Sequence, residues 1–258
     1  MDPRTETGDI AGFYDRLSID YDRMTGFEQR FVRERPFIKL LVDRYKISQA
    51  VDAGTGTGFH AILLARLGVQ VTAVDLSPAM VDALRVRATR EELRLTALVG
   101  AFEDLPSLVM QPQDAVLSMG NTLAHAPTPD DLLVSLKAFR DILRPGGLLF
   151  VQMLNYKRIL ASKERVLADK VEDGIRFLRW YEYGGGRIRF NITRERVDGT
   201  APAATQSVDL TPFTADDLHE AARHAGFSDI STLGSIALES FDEERSRDCV
   251  MLARAPAP

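Results

Sequence analysis

The chain is poor in the residues that build covalently linked or metal-stabilised folds. Its 258 residues include one cysteine, Cys249, and four histidines. A single cysteine cannot form an internal disulfide bond, and the cysteine and histidines show none of the spacings typical of a zinc site. We therefore expect neither a disulfide framework nor a bound metal ion.

Long apolar segments and an excess of basic charge are also missing. No hydrophobic run approaches the ~20 residues that a membrane-spanning helix needs. The first six residues are polar and lack the apolar core of a signal peptide. The net charge of −5 disfavours nucleic acid as a partner, because binding to phosphate backbones depends on lysine and arginine clusters. These absences predict a cytoplasmic protein that binds neither membranes nor nucleic acid.

The most informative segment is the run Val51–Gly58, followed by an acid at Asp75. A short apolar strand enters three alternating glycines, a helix follows, and a second apolar strand ends on the aspartate. Glycines at such a turn let the backbone approach a ligand closely. A carboxylate at the tip of the next strand can accept hydrogen bonds from ribose hydroxyls. The segment therefore predicts a site for an adenosine-containing cofactor.

The spacing of the glycines distinguishes between cofactors. A dinucleotide site carries G-x-G-x-x-G opposite a pyrophosphate, whereas this run is D-x-G-x-G-x-G and begins at Asp52. An acid repels a pyrophosphate but suits a cofactor with a cationic amino group. The run resembles the first motif of the class I S-adenosylmethionine-dependent methyltransferases, and Asp75 matches the ribose-binding acid of that family. Two alternatives stay open: Asp52 only caps the turn, or the site binds a nicotinamide cofactor.

Strand and helix patterns alternate from about residue 36 to 156, which predicts parallel strands joined by crossover helices. Strands are expected at residues 49–53, 69–75, 95–100, 114–119 and 148–154. The resemblance extends from about Phe13 to Arg254 and implies an α/β fold. In this fold a Rossmann-like, seven-stranded, mostly parallel sheet carries helices on both faces, and its last strand is antiparallel.

We expect one methyltransferase domain over residues 1–258 with two additions to its core. Residues 1–35 form an N-terminal helical cap, residues 36–156 and 213–258 the Rossmann-like core, and residues 157–212 an antiparallel β insertion after the fifth strand. The insertion contains expected strands at 177–183, 187–196 and 205–210, the first two joined by three glycines. Its basic and aromatic residues could stack on bases, but their alternation favours a substrate lid.

The resemblance assigns cofactor binding to residues at the strand ends: Asp52, Gly54, Thr55, Gly56, Asp75, Leu76, Phe102, Ser118 and Met119. Many family members hold the adenine amino group with an aspartate where this chain has Ala101, so the backbone N–H of Phe102 and apolar contacts from Leu76 are expected to replace it. Arg30 and Arg33 are candidates for the cofactor carboxylate.

The substrate side resembles the glycine N-methyltransferase branch and related amine methyltransferases. Gly120-Asn121-x-x-Ala124-His125 after the fourth strand and Asn155-Tyr156 after the fifth match it. By this resemblance Asn121 faces the substrate amine, although it could instead cap the strand end. That branch has a carboxylate-binding arginine at the position of Leu154, which argues against glycine itself as the acceptor.

Several other side chains are candidates for catalysis or substrate binding. His125 lies just past a strand end and could act as a base, or serve only as a structural partner. Tyr14 and Tyr21 could turn hydroxyls or ring faces toward the sulfonium, or anchor an N-terminal helix. The candidates on the insertion are Tyr181, Tyr183 and Arg189.

The sequence therefore predicts a methyltransferase that uses S-adenosylmethionine, leaves S-adenosylhomocysteine, and methylates a small molecule at an amine nitrogen. Two further alternatives are an O- or C-methyltransferase of specialised metabolism, with His125 as base, and a non-catalytic S-adenosylmethionine-binding module. Whether the protein is a monomer or a homodimer is open.

Overall fold

Helices and strands alternate along the chain in a computed structural model that describes residues 9–256; the polar first six residues lie outside this range. The α-helices are α1 (Ile10–Thr25), α2 (Phe27–Tyr45), α3 (Phe59–Arg66), α4 (Pro78–Arg90), α5 (Leu105–Leu108), α6 (Pro129–Asp141), α7 (Tyr156–Ser162) and α8 (Ala215–His224). The strands are β1 (Gln49–Ala53), β2 (Gln70–Asp75), β3 (Thr96–Val99), β4 (Gln113–Ser118), β5 (Leu143–Leu154), β6 (Val166–Glu172), β7 (Ile175–Gly184), β8 (Arg187–Arg196), β9 (Ala204–Leu210), β10 (Ser228–Leu233) and β11 (Asp248–Arg254). None of the described helices has the length and hydropathy that crossing a bilayer requires.

Seven strands form one sheet in the order β10, β11, β5, β4, β1, β2, β3. The pairs from β5 to β3 are parallel, whereas β11 runs antiparallel to both of its neighbours. The chain enters at the centre with β1, builds β2 and β3 on one side, and returns to build β4 and β5 on the other. This reversal leaves a crevice at the carboxyl ends of β1 and β4, where sheets of this kind bind ligands. The predicted seven-stranded, mostly parallel sheet is confirmed.

Apolar layers cover both faces of this sheet. One layer contains buried side chains from α2, α3 and α4, such as Ile38, Ile62 and Leu84. The other contains side chains from α6 and α8, such as Leu136 and Leu218. Every residue of β4 is buried, as expected for a central parallel strand covered on both sides. The predicted helices on both faces are therefore confirmed.

Local signals set the element boundaries around the crevice. β1 has the bounds predicted for it. α4 begins at Pro78, because the Ser77 hydroxyl accepts the N–H of Met80 at 3.1 Å and Pro78 fits the first turn of a helix. β5 begins earlier than predicted, at Leu143: this residue pairs with Gln113, and the ladder resumes at Leu148. Pro145, Gly146 and Gly147 lie between these two pairings.

A second sheet, antiparallel throughout, follows β5 in the order β6, β7, β8, β9. Gly185 and Gly186 join β7 to β8 with φ angles of 58° and 75°, which glycine adopts without the steric cost of a side chain. The three strands predicted here are confirmed, whereas β6 and α7 carried no recognised signal. The sheet packs on α1, where the rings of Phe13 and Phe190 lie 6.4 Å apart.

Two helices precede β1 in the region of the expected N-terminal cap. α1 contacts α4 of the core as well as β6 and β9 of the second sheet. α2 continues through Pro36 to Tyr45, so the boundary expected at residue 36 falls inside a helix. α1 is consequently one of the elements that connect the second sheet to the crevice.

A buried carboxylate, Asp114, joins the starts of three strands at the end opposite the crevice. Its Oδ2 accepts the N–H groups of Ser48 and Gln49 at 2.7 and 3.1 Å and the Ser48 hydroxyl at 2.6 Å. Its Oδ1 accepts Nε of Arg144 at 2.6 Å. Burial alone would raise the pKa of Asp114, but these donors lower it to about 2.

Replacing this carboxylate by Asp114→Asn should lower the free energy of unfolding at pH 7 by about 1–3 kcal/mol, because four donors lose a charged acceptor. A carboxyl with a lowered pKa stabilises the fold above its unfolded pKa and loses this effect as the pH falls toward about 2. Urea unfolding at several pH values should therefore show that the difference in free energy of unfolding between wild type and Asp114→Asn shrinks in acid. Asp82→Asn, at a side chain that is 70 % exposed, is the control. Equal stability of Asp114→Asn and wild type at pH 7 would contradict this role.

Candidate functional site

The glycine turn after β1 is fixed by hydrogen bonds to β2 and by close packing. The N–H groups of Gly54 and Thr55 donate to the carbonyl of Val74 at 2.8 and 3.1 Å. Gly54 has a φ of 76°, and a Cβ there would lie 2.2 Å from a methyl group of Thr122. The turn therefore requires glycine at this position for both its backbone angle and its contact.

Asp75 connects this turn to the end of β2. Its Oδ2 accepts the N–H of Gly56 at 2.7 Å, and its Oδ1 accepts the N–H of Ser77 at 2.9 Å. Burial raises the pKa of Asp75, although these two donors favour the charged form. Each carboxylate oxygen keeps a further lone pair that can accept from a ligand hydroxyl. Asp75 lines a cavity at the crevice, in the position expected of a ribose-binding acid.

Asp52 lies behind the turn, away from the cavity wall. Its side chain is 1 % exposed, and its Oδ2 accepts the hydroxyl of Thr55 at 2.6 Å. Burial raises the pKa of Asp52 against the opposing effects of His60, the Thr55 hydroxyl and the N–H of Ala61. The hydrogen bond from Thr55 matches the alternative in which Asp52 only caps the glycine turn. Direct contact of this carboxylate with a cofactor ammonium stays a prediction.

The cavity has a volume of about 460 Å³. It brings together eleven of the residues predicted for the site: Tyr14, Tyr21, Arg30, Gly54, Thr55, Gly56, Asp75, Leu76, Phe102, Met119 and His125. The other predicted residues lie outside its wall: Arg33, Asp52, Ser118, Asn121, Asn155, Tyr156, Tyr181, Tyr183 and Arg189. Ser118 is 1 % exposed, and its hydroxyl has no hydrogen-bond partner within residues 9–256.

Asn121 and Tyr156 hold the ends of β4 and β5 together. The Asn121 side chain donates through Nδ2 to the Tyr156 hydroxyl at 2.7 Å and accepts the N–H of Leu154 at 3.0 Å. Tyr156 is fully buried. Asn155, also buried, donates to the carbonyls of Glu243 and Ser246, each at 2.9 Å. These contacts hold the three side chains within the protein, and their contact with a substrate stays a prediction.

The lid candidates on the second sheet are also engaged by neighbours. The Tyr183 hydroxyl donates to the carbonyl of Glu164, and Arg189 pairs with Asp209 at 3.1 Å. Tyr181 is 2 % exposed and packs against Phe190, with ring centroids 5.9 Å apart. Substrate contacts for these residues remain predictions.

Tyr14 and His125 form a hydrogen-bonded pair in the cavity wall. The Tyr14 hydroxyl oxygen and His125 Nε2 lie 2.8 Å apart. Burial lowers the pKa of His125 to about 4 and raises that of Tyr14 well above its usual value. His125 Nδ1 is buried without a hydrogen-bond partner in the described chain. At neutral pH the pair is therefore a protonated phenol beside a neutral imidazole.

α1 contains two Tyr-Asp pairs, Tyr14-Asp15 and Tyr21-Asp22. The tyrosines line the cavity, whereas the aspartates bind neighbouring turns of the core. Asp15 accepts the Ser77 hydroxyl at 2.5 Å and the N–H of Ala79 at 3.1 Å. Asp22 accepts the hydroxyl of Thr57, which belongs to the glycine turn, at 2.5 Å. The aspartates thus tie α1 to the same turns that frame the cavity, a role that sequence reasoning missed.

The cavity wall also includes a positively charged side chain, that of Arg30. Its guanidinium lies 4.1 Å from the ring centre of Phe59, and its Nε donates to Glu34 at 2.9 Å. Glu34 also contacts Nε2 of His60 at 3.2 Å. Burial would raise the pKa of Glu34, but His60 and Arg30 together lower it to about 2. Of the two arginines considered from sequence, Arg30 reaches the cavity, whereas the Arg33 side chain is 70 % exposed.

The far end of the cavity is mostly apolar. Leu76, Ala101 and Phe102 line it, and Phe102 is fixed by the ring of Phe139, 5.1 Å away. Glu103 lines the same end. Sequence reasoning did not select Glu103, because the family position for an adenine-binding acid is two residues earlier, at Ala101.

Known proteins resemble this chain in sequence and in fold. The methyltransferase domain family matches residues 50–147. Glycine/sarcosine N-methyltransferase from Aphanothece halophytica is 26 % identical over 87 % of this chain and 82 % of that protein. Ubiquinone biosynthesis O-methyltransferase from Xanthomonas campestris pv. campestris is 36 % identical over 42 % of this chain and 44 % of its own length.

The solved structure of the CcbJ methyltransferase from Streptomyces caelestis has the same architecture. It superimposes with a TM-score of 0.74 at 25 % identity, over 87 % of this chain and 90 % of that one. The similarities to known proteins agree with the glycine turn, Asp75 and the seven-stranded sheet, because all of them indicate a methyltransferase. The chain therefore contains a methyltransferase domain over residues 50–147 and is a methyltransferase that uses S-adenosylmethionine as its cofactor.

Proposed function

We propose that this enzyme transfers the methyl group of S-adenosylmethionine to an amine nitrogen of a small molecule. The proposal rests on the Tyr14–His125 pair, which lies in the wall of the cavity that Asp75 also lines. The cavity volume of about 460 Å³ is in the range of small-molecule sites. The name of the glycine/sarcosine N-methyltransferase that resembles most of this chain supports an amine acceptor.

The residues along the cavity fit the chemistry of the cofactor from end to end. Asp75 would accept hydrogen bonds from the ribose, and Arg30 would bind the carboxylate of the methionine part. Leu76 and Phe102 would enclose the adenine, and the ring faces of Tyr14 and Tyr21 would attract the sulfonium. When bound, S-adenosylmethionine supplies a methyl group that its sulfonium already activates. The task left to the protein is to align the acceptor and exclude water.

The low basicity of His125 favours an amine over an alcohol as acceptor. Its pKa is lowered to about 4 by burial, and no carboxylate among residues 9–256 is hydrogen-bonded to it to raise that value. Such an imidazole has little driving force to deprotonate a hydroxyl group. An amine that arrives deprotonated attacks through its lone pair, and the product sheds a proton readily. Tyr14, held in place by His125, would therefore orient the nitrogen through its hydroxyl group.

We further propose that the chain works as a single domain in which α1 covers the cavity. α1 supplies Tyr14 and Tyr21 to the cavity and is tied to the second sheet by Asp20, which pairs with Arg194 at 2.7 Å. Movement of the lid segment, residues 157–212, would therefore reach the cavity through this helix.

An acceptor screen tests the proposed function directly. Purified enzyme and tritium-labelled S-adenosylmethionine are incubated with matched pairs of small amines and alcohols, and mass spectrometry locates the methyl group in each product. We expect N-methylated products. Products methylated only on oxygen, the chemistry named for the ubiquinone-pathway relative, would overturn the amine assignment.

The cofactor assignment of Asp75 predicts the effect of Asp75→Ala. The variant should bind S-adenosylhomocysteine about tenfold more weakly or worse, because two ribose hydrogen bonds to a charged acceptor are lost. Calorimetric titration measures the affinity, and Asp82→Ala on the exposed face of α4 is the matched control. Wild-type affinity in Asp75→Ala would refute the ribose assignment.

The proposed roles of Tyr14 and His125 predict a loss of kcat without a loss of cofactor affinity. His125→Asn and Tyr14→Phe should each reduce kcat by about 10- to 100-fold, because the acceptor nitrogen loses the Tyr14 hydroxyl or its fixed position. Since the pKa of His125 is lowered to about 4, this histidine stays neutral at higher pH. It should therefore cause no break in kcat between about pH 6 and 8. A break in this range that disappears in His125→Asn would identify His125 as a titrating base and contradict this account.

A further inference from the structure

Glu34 on α2 is a buried carboxylate that contacts the cavity wall without being part of it. Its side chain is 6 % exposed. One of its oxygens, Oε1, accepts Nε of Arg30 at 2.9 Å, and the other, Oε2, lies 3.2 Å from Nε2 of His60. Both of these partners line the cavity, whereas Glu34 does not. Glu34 therefore connects two residues of the cavity wall to each other.

The guanidinium of Arg30 is held on one face and along one edge. Its central carbon lies 4.1 Å from the centre of the Phe59 ring, which packs against the face. Glu34 binds the edge that carries Nε, and Nη2 makes a longer contact of 3.5 Å with Oε2. Nη1 has no hydrogen-bond partner within residues 9–256. The two terminal nitrogens therefore keep N–H groups for a ligand, and their fork matches the two oxygens of a carboxylate.

His60 relates this arrangement to the glycine turn. It is the second residue of α3, and this helix begins directly after Gly58. Burial opposes the charge of Glu34, but His60 and Arg30 lower its pKa to about 2, so the carboxylate is charged at neutral pH. Through Glu34 and His60, the position of Arg30 consequently depends on the same turn that frames the cavity.

We propose that Glu34 is a positioning residue for cofactor binding, because it directs the terminal nitrogens of Arg30 toward the carboxylate of the methionine part. This inference rests on the contact between Arg30 and that carboxylate in the proposed function. A long side chain loses rotamer freedom when it binds a ligand, and a partner that fixes its rotamer beforehand reduces this cost. Without the Glu34 carboxylate, Arg30 keeps its charge but not its direction. Binding of the methionine part then weakens, whereas binding of the adenosine part does not.

Two ligands that differ in the amino-acid part test this role of Glu34. S-adenosylhomocysteine carries the amino and carboxylate groups, whereas 5′-methylthioadenosine lacks both and keeps the adenosine and the sulfur. Calorimetric titration gives the ratio of the two affinities for each protein. Wild type should prefer S-adenosylhomocysteine by about tenfold or more, because the other ligand lacks the charged partner of Arg30. Glu34→Gln should reduce this preference by about fivefold or more. Glu28→Gln, at an exposed position of the same helix, should retain it.

A double-mutant cycle shows whether Glu34 acts through Arg30. Arg30→Gln should remove most of the preference, and Glu34→Gln added to it should lower the preference no further. A structural role alone would make Glu34→Gln weaken both ligands equally or neither of them, and either result would overturn the proposal. An equal effect of Glu34→Gln with and without Arg30 would also overturn it.

Glu34→Asp keeps the charge in a shorter side chain and serves as the test if Glu34→Gln does not fold. It should also reduce the preference for S-adenosylhomocysteine, because the shorter carboxylate cannot reach both of its partners. A wild-type preference in Glu34→Asp would then contradict the positioning role. If Arg30→Gln itself retains the wild-type preference, the contact between Arg30 and the cofactor carboxylate is wrong. That result would overturn this part of the proposed function, whereas an effect of Arg30→Gln without one of the Glu34 variants would overturn the role of Glu34 alone.

Discussion

The site depends on one carboxylate, that of Asp75, which is held between two backbone N–H groups. One of them belongs to Gly56 in the glycine turn and the other to Ser77 at the start of α4. Parallel pairing of β1 with β2 places these two turns side by side, and the glycines allow the chain to bend closely enough to meet the carboxylate. The geometry of the cofactor site is therefore built from backbone groups, which side-chain motion does not disturb.

α1, which covers the cavity, is attached to the same two turns. Asp15 binds the start of α4 and Asp22 binds Thr57, so α1 is attached to the two turns that Asp75 also joins. This attachment turns Tyr14 toward His125 and the cavity. The same two turns therefore serve two purposes. They hold the cofactor, and they orient α1 so that Tyr14 faces the cavity.

Local sequence patterns predicted most of the fold. Hydrogen bonds between side chains that are distant in the sequence could not be predicted in this way. β1 and β8 have the predicted bounds because alternation and glycine turns are local signals. β6 was missed because it is an outer strand without a buried residue, so it lacks an apolar face in the sequence. The hydrogen bond between Asn121 and Tyr156 was not predicted, because it depends on the pairing of two adjacent strand ends. The partners of Asp15 and Arg30 likewise depend on packing between distant helices and turns.

The glycine turn and Asp75 should together bind S-adenosylmethionine and not a nicotinamide cofactor. Calorimetric titration of the purified protein with S-adenosylmethionine, S-adenosylhomocysteine and NADH distinguishes these two possibilities. We expect one binding site per chain with an affinity of about micromolar for the first two ligands and no heat of binding for NADH. Binding of NADH in preference to S-adenosylhomocysteine would show that the glycine turn is a nicotinamide site instead.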